Sequence, residues 1–228
     1  MYVDTITIEQ REGFFADSIA ALAEILDVLQ SKPALNIREL KPENTVLVIV
    51  DVVKGFCVKG NLFSPRIKAL VSEVERVMRL CKEHGIQVIC FADSHPKNSP
   101  EYKTYPEHCG VGTEESELVD ELKAIGGYRL FLKNSTSGFL EKEFQEWLEA
   151  NAQITNMIVV GDCTDICVEQ FASTAKAYYN MKNVGARIIV PMDTVETFDL
   201  GAHNARLMNT VAFMIMAGNG VELVQTVQ

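Results

Sequence analysis

Gly161-Asp162-Cys163-Thr164-Asp165-Ile166-Cys167-Val168 is the stretch on which the reading of this chain turns. An apolar run, Met157 to Val160, precedes it. Behind it Phe171, Ala175, Tyr178 and Tyr179 recur at three- and four-residue intervals. That order predicts a buried strand, a short turn and a helix, with Cys167 in the helix's opening turn. Free N–H groups and the positive end of the helix dipole favour a thiolate there. A nucleophile with backbone donors beside it is what acyl transfer requires. Cys167 equally reads as a small buried apolar side chain, and this stretch alone leaves both readings open.

Working outward, apolar strands alternate with helical patterns from Thr45 onward. Strands are expected near 46–50, 87–91, 129–132, 157–160, 187–190 and 221–224. Helices are expected near 65–84, 115–124, 139–150, 165–182 and 201–217. Short strands of nearly continuous apolar character suit a sheet covered on both faces. The predicted fold is α/β, a three-layer αβα sandwich on a mostly parallel six-stranded sheet. Residues 1–44 read as a helical extension and 45–228 as the main domain. In the extension Phe14, Ile19, Leu22, Ile25, Leu26 and Leu29 recur at helical spacing, with Asp17 or Ser18 near the start and Pro33 past the end. Such a helix covers either its own domain or a neighbouring subunit.

At 228 residues and 47% hydrophobic content, one sizeable core is expected. A net charge of −10 with no concentrated basic run argues against a nucleic-acid partner. No apolar run approaches the length of a membrane span, and the N-terminus lacks a signal peptide's layout. The expected setting is cytoplasmic, with the six cysteines reduced. Cys163 and Cys167 stand four residues apart, which is not a redox spacing.

Ligands of such sheets bind beyond the carboxyl ends of the strands. There the chain places Asp51, Asp93, Lys133 and the Cys167 turn. Each Asp alone reads as a turn or cap residue, but four strands delivering chargeable groups to one edge form a constellation. Asp51 follows an unbroken apolar run, so its pKa is expected to be raised, as suits a general base facing a thiol. Lys133 would stabilise the ionised pair and Cys167 would attack. The oxyanion would rest on the backbone N–H groups of Cys163 and Cys167. Asp93, His95 and His108 supply mixed oxygen and nitrogen donors suited to a divalent ion: zinc, iron or manganese. Glu101 reads as a fourth ligand or as a solvated loop carboxylate. His84 and His203 are assigned no chemistry.

These motifs resemble the cysteine hydrolases of the isochorismatase-like superfamily, and within it the nicotinamidases. Val52-Val53-Lys54-Gly55-Phe56 after Asp51, the run Phe131 to Phe139 around Lys133, and the Cys167 turn are similar to the superfamily's three motifs. Asp93-Ser94-His95 with Tyr105-Pro106-Glu107-His108-Cys109 is similar to the nicotinamidase metal motif. The resemblance implies an Asp51–Lys133–Cys167 triad and a cis peptide between Asp162 and Cys163. It also implies a divalent metal, zinc with iron or manganese as alternatives, that holds a pyridine nitrogen or a water. Phe56 and Tyr105 would flank the ring. The implied activity is hydrolysis of nicotinamide to nicotinic acid and ammonia through a Cys167 thioester, in NAD salvage, by a homo-oligomer. Lys54-Gly55 stands where relatives carry Asn-Asp, Tyr105 where they carry Trp, and Asp162 where they carry a small apolar residue. A related hydrolase of another small amide, such as a carbamoyl or ureido compound, or of an isochorismatase type, and a non-catalytic binding protein are the competing readings.

Overall fold

The computed structural model describes residues 7–228. Among them are seven strands, all paired in parallel: β1 (Thr45–Val50), β2 (Gln87–Asp93), β3 (Tyr128–Lys133), β4 (Asn156–Asp162), β5 (Arg187–Pro191), β6 (Val195–Glu196) and β7 (Glu222–Val224). The order is β3-β2-β1-β4-β5-β7, with β6 paired to the end of β4. The six-stranded expectation is therefore short by β6, whose two residues are too few to leave a periodic signal. The chain winds outward from β1 through β2 to β3, then returns beside β1 with β4 and winds the other way. The carboxyl ends of β1 and β4 thus flank the point where the winding reverses, which is where a crevice opens in such sheets.

Alternation along the strands sorts the core into two layers. Leu47, Ile49, Val88, Cys90, Ile158 and Val160 pack against α3 (Pro65–Glu83), through Leu70, Val74, Val77 and Met78. Val46, Val48, Val50, Met157, Val159 and Ile188 face the other layer. That layer is built by Phe144 and Trp147 of α5 (Lys142–Ala150), Phe171 and Ala175 of α6 (Glu169–Met181), and Phe213 and Met216 of α7 (Ala205–Gly218). Each such buried side chain contributes roughly 1.5–3 kcal/mol of burial free energy.

The helix boundaries differ from expectation in instructive ways. The N-terminal helix, α1, spans Ile8–Gln30 and not a span opening at Asp17 or Ser18. Thr7 caps it, exchanging hydrogen bonds with Gln10 in a capping box. A four-residue helix, α2 (Lys54–Cys57), follows β1, where Val53, Phe56 and Cys57 leave no helical period to detect. The segment 115–124 resolves into a 3₁₀ turn at Glu114–Ser116 and α4 (Asp120–Ile125). The segment 139–150 likewise divides into a 3₁₀ turn at Gly138–Leu140 and α5. Of the extension, Leu35 and Ile37 are buried and pair with the C-terminal residues: Leu35 bridges Val227, and Ile37 N–H donates to the Gln228 carbonyl at 2.8 Å. Phe14, Phe15 and Ile19 of α1 are exposed, whereas Leu29 is buried.

Gly161 holds the two central strands together at the site. Its φ is +117°, and a Cβ built on it would lie 2.0 Å from the Val50 carbonyl oxygen, which is backbone and has nowhere to go. Gly161→Ala is expected to destabilise the fold by about 3 kcal/mol through strain and the forced parting of β1 from β4. Chemical denaturation measures it, and a loss within ~0.5 kcal/mol would mean the strands separate freely.

Candidate active site

Each strand end delivers one group. At the end of β1, Asp51 adopts φ +54°, a left-handed conformation uncommon outside glycine but tolerated by Asp. That turn lets its Oδ1 accept from the Asp93 N–H at 3.1 Å and brings its Oδ2 within 2.8 Å of Lys133 Nζ. Lys133, last residue of β3, is itself 1% exposed. Its ammonium donates to Asp93 Oδ1 and to the Ser135 carbonyl at 3.0 Å, and lies 3.6 Å from Cys167 Sγ. Asp51 and Cys167 are near enough for each to shift the other's pKa. The structure thus brings Asp51, Lys133 and Cys167 together.

Burial dominates the electrostatics. It raises the Asp51 pKa to about 7, helped by the neighbouring Asp93 carboxylate and opposed by Lys133. Burial also pushes the Cys167 thiol upward, with Lys133 pulling the other way. Lys133 would lose its proton to burial, but Asp51 and Asp93 together hold it charged, its pKa well above the ordinary value. At Cys167 burial thus opposes the thiolate that the helix start and Lys133 favour. Cys167 lies in a π-helical turn, Thr164–Val168, before α6 begins at Glu169. That turn runs straight into α6, so the positive end of the helix dipole does stand at Cys167, where it meets the opposing effect of burial. The peptide between Asp162 and Cys163 is cis.

Asp93, His95 and His108 offer ligand atoms that all lie within 4.8 Å of one another, and all three residues are buried. The second nitrogen of each ring fixes its orientation. His95 Nδ1 faces Asn134 Oδ1 at 3.0 Å, and His108 Nδ1 faces the Pro106 carbonyl at 2.7 Å. An Nδ1 that donates to an oxygen leaves Nε2 as a lone pair. Both Nε2 atoms point at Asp93, from 3.4 Å and 3.6 Å. His95 Nε2 is buried with no hydrogen-bond partner. Two bare imidazole nitrogens converging on one carboxylate fit a divalent ion with positions left open. Glu101 lines the same cavity but stands outside this group of three, and burial raises its pKa. Asn134 is the residue that sequence reasoning missed here; it directly follows Lys133, which is the signal that would have found it.

The cavity measures about 390 Å³, within the range of small-molecule sites. Phe56 and Tyr105 line it, with ring centroids 5.7 Å and 6.2 Å from that of His108. Cys163, Cys167, Asp93 and His108 line it too. Phe56 is carried by α2, which Lys54 ties down: its ammonium bonds Glu114 at 3.2 Å and Asp120 at 3.1 Å. Gly55 lets α2 approach this closely, since a Cβ there would meet Cys109 Sγ at 2.6 Å. His203, unassigned from the sequence, is fastened to the nucleophile turn through Asp165.

Comparison with known proteins places these features in context. The isochorismatase domain model matches residues 45–219. Nicotinamidase 1 of Arabidopsis thaliana is 34% identical over 215 residues, covering 79% of this chain and 85% of that protein. A ureidoacrylate amidohydrolase of Rhizobium rhizogenes is 27% identical over 157 residues, covering 57% of this chain and 63% of that protein. The crystal structure of the pyrazinamidase of Pyrococcus horikoshii in complex with zinc superposes with a TM-score of 0.65 at 22% identity, covering 80% of this chain and 99% of that one.

The donor set has a direct test. Purified protein is expected to carry about one divalent ion per chain by elemental analysis. His95→Ala and His108→Ala should each abolish it, and Asn134→Ala should weaken metal affinity roughly 10–100-fold. Stoichiometric metal in the double histidine variant would show that the ion sits elsewhere.

Proposed function

The chain belongs to the isochorismatase domain family and hydrolyses an amide C–N bond, and from that premise we propose that it is a metal-dependent nicotinamidase working through a Cys167 thioester. The observation that carries the reading is the position of the Lys133 ammonium. It reaches Asp51 and the Cys167 sulfur on one side and Asp93, a donor of the proposed metal site, on the other. The nucleophile and the donor set are therefore one unit with a fixed separation, and a small planar amide spans them.

The residues perform the chemistry as follows. Phe56 and Tyr105 receive the pyridine ring, and Asp93, His95 and His108 would hold a divalent ion, for which we propose zinc among the metals these donors suit. When bound, that ion supplies a Lewis-acidic anchor for the ring nitrogen or an ordered water. Asp51 takes the proton of the Cys167 thiol as the sulfur bonds to the carboxamide carbon. The backbone N–H groups of Cys163 and Cys167 receive the oxyanion. Asp51 then gives its proton to the departing nitrogen, the C–N bond breaks, and ammonia leaves a thioester. Water attacks the thioester carbon while Asp51 removes its proton. The C–S bond breaks, nicotinic acid is released and the proton returns to sulfur. Lys133 keeps its charge throughout and holds Asp51 in register with Cys167. A raised Asp51 pKa matches this double duty, since the group must both accept and give a proton near neutrality.

The pocket chemistry also bears on the substrate. Arg66 lines the cavity, but its guanidinium is engaged by Glu196 at 2.7 Å and Asp199 at 3.7 Å. An uncharged ring amide fits this wall better than an anionic ureido acid does.

Ammonia release from nicotinamide by the metal-loaded protein tests the reading, with ureidoacrylate and an N-carbamoyl amino acid as competitors. Cys167→Ala and Asp51→Asn are each expected to lower kcat by at least about 10³-fold while the fold and metal content persist. Turnover of the ureido compound in preference to nicotinamide would reassign the substrate. Wild-type turnover by Cys167→Ala would remove the thioester.

A further inference from the structure

Between β6 and α7 the chain makes a small closed loop whose inner wall faces the cavity. Phe198, Asp199 and Leu200 line the cavity there. The loop is pinned on itself: Leu200 N–H donates to the His203 carbonyl at 3.0 Å, and His203 N–H donates to the Leu200 carbonyl at 2.9 Å. Asp199 Oδ1 accepts from the Ala205 N–H at 2.8 Å, and Asn204 caps α7. The His203 side chain fastens this loop to the nucleophile turn. Its Nδ1 lies 2.8 Å from the Phe198 carbonyl, and its Nε2 lies 2.8 Å from Asp165 Oδ2, two residues before Cys167. Both partners only accept, so the ring donates at both nitrogens and is an imidazolium. The Phe198 ring lies flat on it, with centroids 4.1 Å apart and planes 9° apart. A cation against an aromatic face is attractive, and it fixes the face that Phe198 turns toward the cavity.

We propose that Phe198 is a specificity-determining wall of the cavity, a further aromatic surface for a planar ring amide, and that His203 is its positioning residue, latching it to the nucleophile turn through Asp165. The inference rests on the reading of the cavity as a ring-amide site. It explains why a half-buried histidine outside the metal site spends both nitrogens on one loop and one turn. It also ties ring binding to the sulfur, because the residue that orients Phe198 is anchored beside Cys167. Neither Asp165 nor His203 touches the reacting atoms.

Steady-state kinetics with nicotinamide tests the wall. Phe198→Ala should raise KM about tenfold, with a smaller change in kcat, as expected when a stacking surface is lost. Phe198→Leu, which keeps apolar bulk without a ring, should fall between. His203→Ala should reproduce the Phe198→Ala effect although His203 does not line the cavity. His203→Gln, which keeps a donor toward Asp165, should recover part of it. The double variant Phe198→Ala/His203→Ala should be no worse than Phe198→Ala alone, because the latch acts only through the ring. An unchanged KM in Phe198→Ala overturns the wall, and fully additive losses overturn the latch. Wild-type protein that releases no ammonia from nicotinamide removes the functional reading instead. In that event hydrogen exchange still decides the latch: the Leu200 amide should exchange at least about tenfold faster in His203→Ala. A wild-type rate there overturns it.

Discussion

The ammonium of Lys133, buried between the carboxylates of Asp51 and Asp93, is the interaction on which the rest of the site depends. Taking a single charge out of water costs several kcal/mol, and three charges cost more. The cost is offset only where geometry is tight and the remaining polar atoms are partnered. Here the Ser135 carbonyl takes one further donor position of the ammonium, and the Asp93 N–H satisfies Asp51 Oδ1. Two carboxylates around one cation leave the cluster one unit negative. Asp93's outward side is therefore an incompletely neutralised anion facing two imidazole lone pairs, which is the environment a divalent cation completes. One lysine thus joins Asp51 and Cys167 to the Asp93, His95 and His108 group in a single ion cluster.

That cluster exists because backbone contacts are closer than side-chain packing alone would allow. β1 and β4 meet at Gly161, where no Cβ can be admitted beside the Val50 carbonyl. The residue that follows β1 is Asp51, and the residues beyond Gly161 lead to Cys167. Moving the strands apart by the width of a methyl group would carry the acid away from the sulfur. The Phe91, Phe131, Phe139, Phe144 and Phe171 cluster in the layer below gives this arrangement a stiff floor, with neighbouring ring centroids 5.2–5.7 Å apart. Gly138 belongs to the same floor, since a Cβ there would meet the Phe91 ring at 2.6 Å.

What was legible in the sequence follows from which signals are local. Strand-ending polar residues after apolar runs betrayed Asp51, Asp93 and Lys133, because a parallel sheet sends every such end to the same edge. The histidines near Asp93 were legible by residue type. The pairing of Lys133 with Asp93 as well as Asp51 was not, since it depends on β2 lying between β1 and β3. α2 was invisible because four residues make barely one turn. Its position is set by Lys54 reaching Glu114 and Asp120, contacts sixty and more residues away. The His203–Asp165 link had no sequence signal either: both residues are commonplace alone, and only the fold of the loop before α7 brings them together.

At Cys167 a local rule and its tertiary context pull in opposite directions. A cysteine opening a helix is expected to be acidified by the dipole, an effect worth up to about 2 kcal/mol in favourable, partly buried geometry. Each pKa unit corresponds to about 1.4 kcal/mol, so that effect lowers a thiol by little more than one unit. Burial of the whole side chain works in the other direction and can reach 3–5 units, roughly three times as much. In the proposed reaction a thiol held upward calls for a neighbouring base, and the same burial acts on Asp51, raising the acid toward neutrality as it raises the thiol. Raising the acid narrows the gap a proton must cross from sulfur to carboxylate, raising the thiol widens it, and Lys133 favours whichever of the two carries the negative charge.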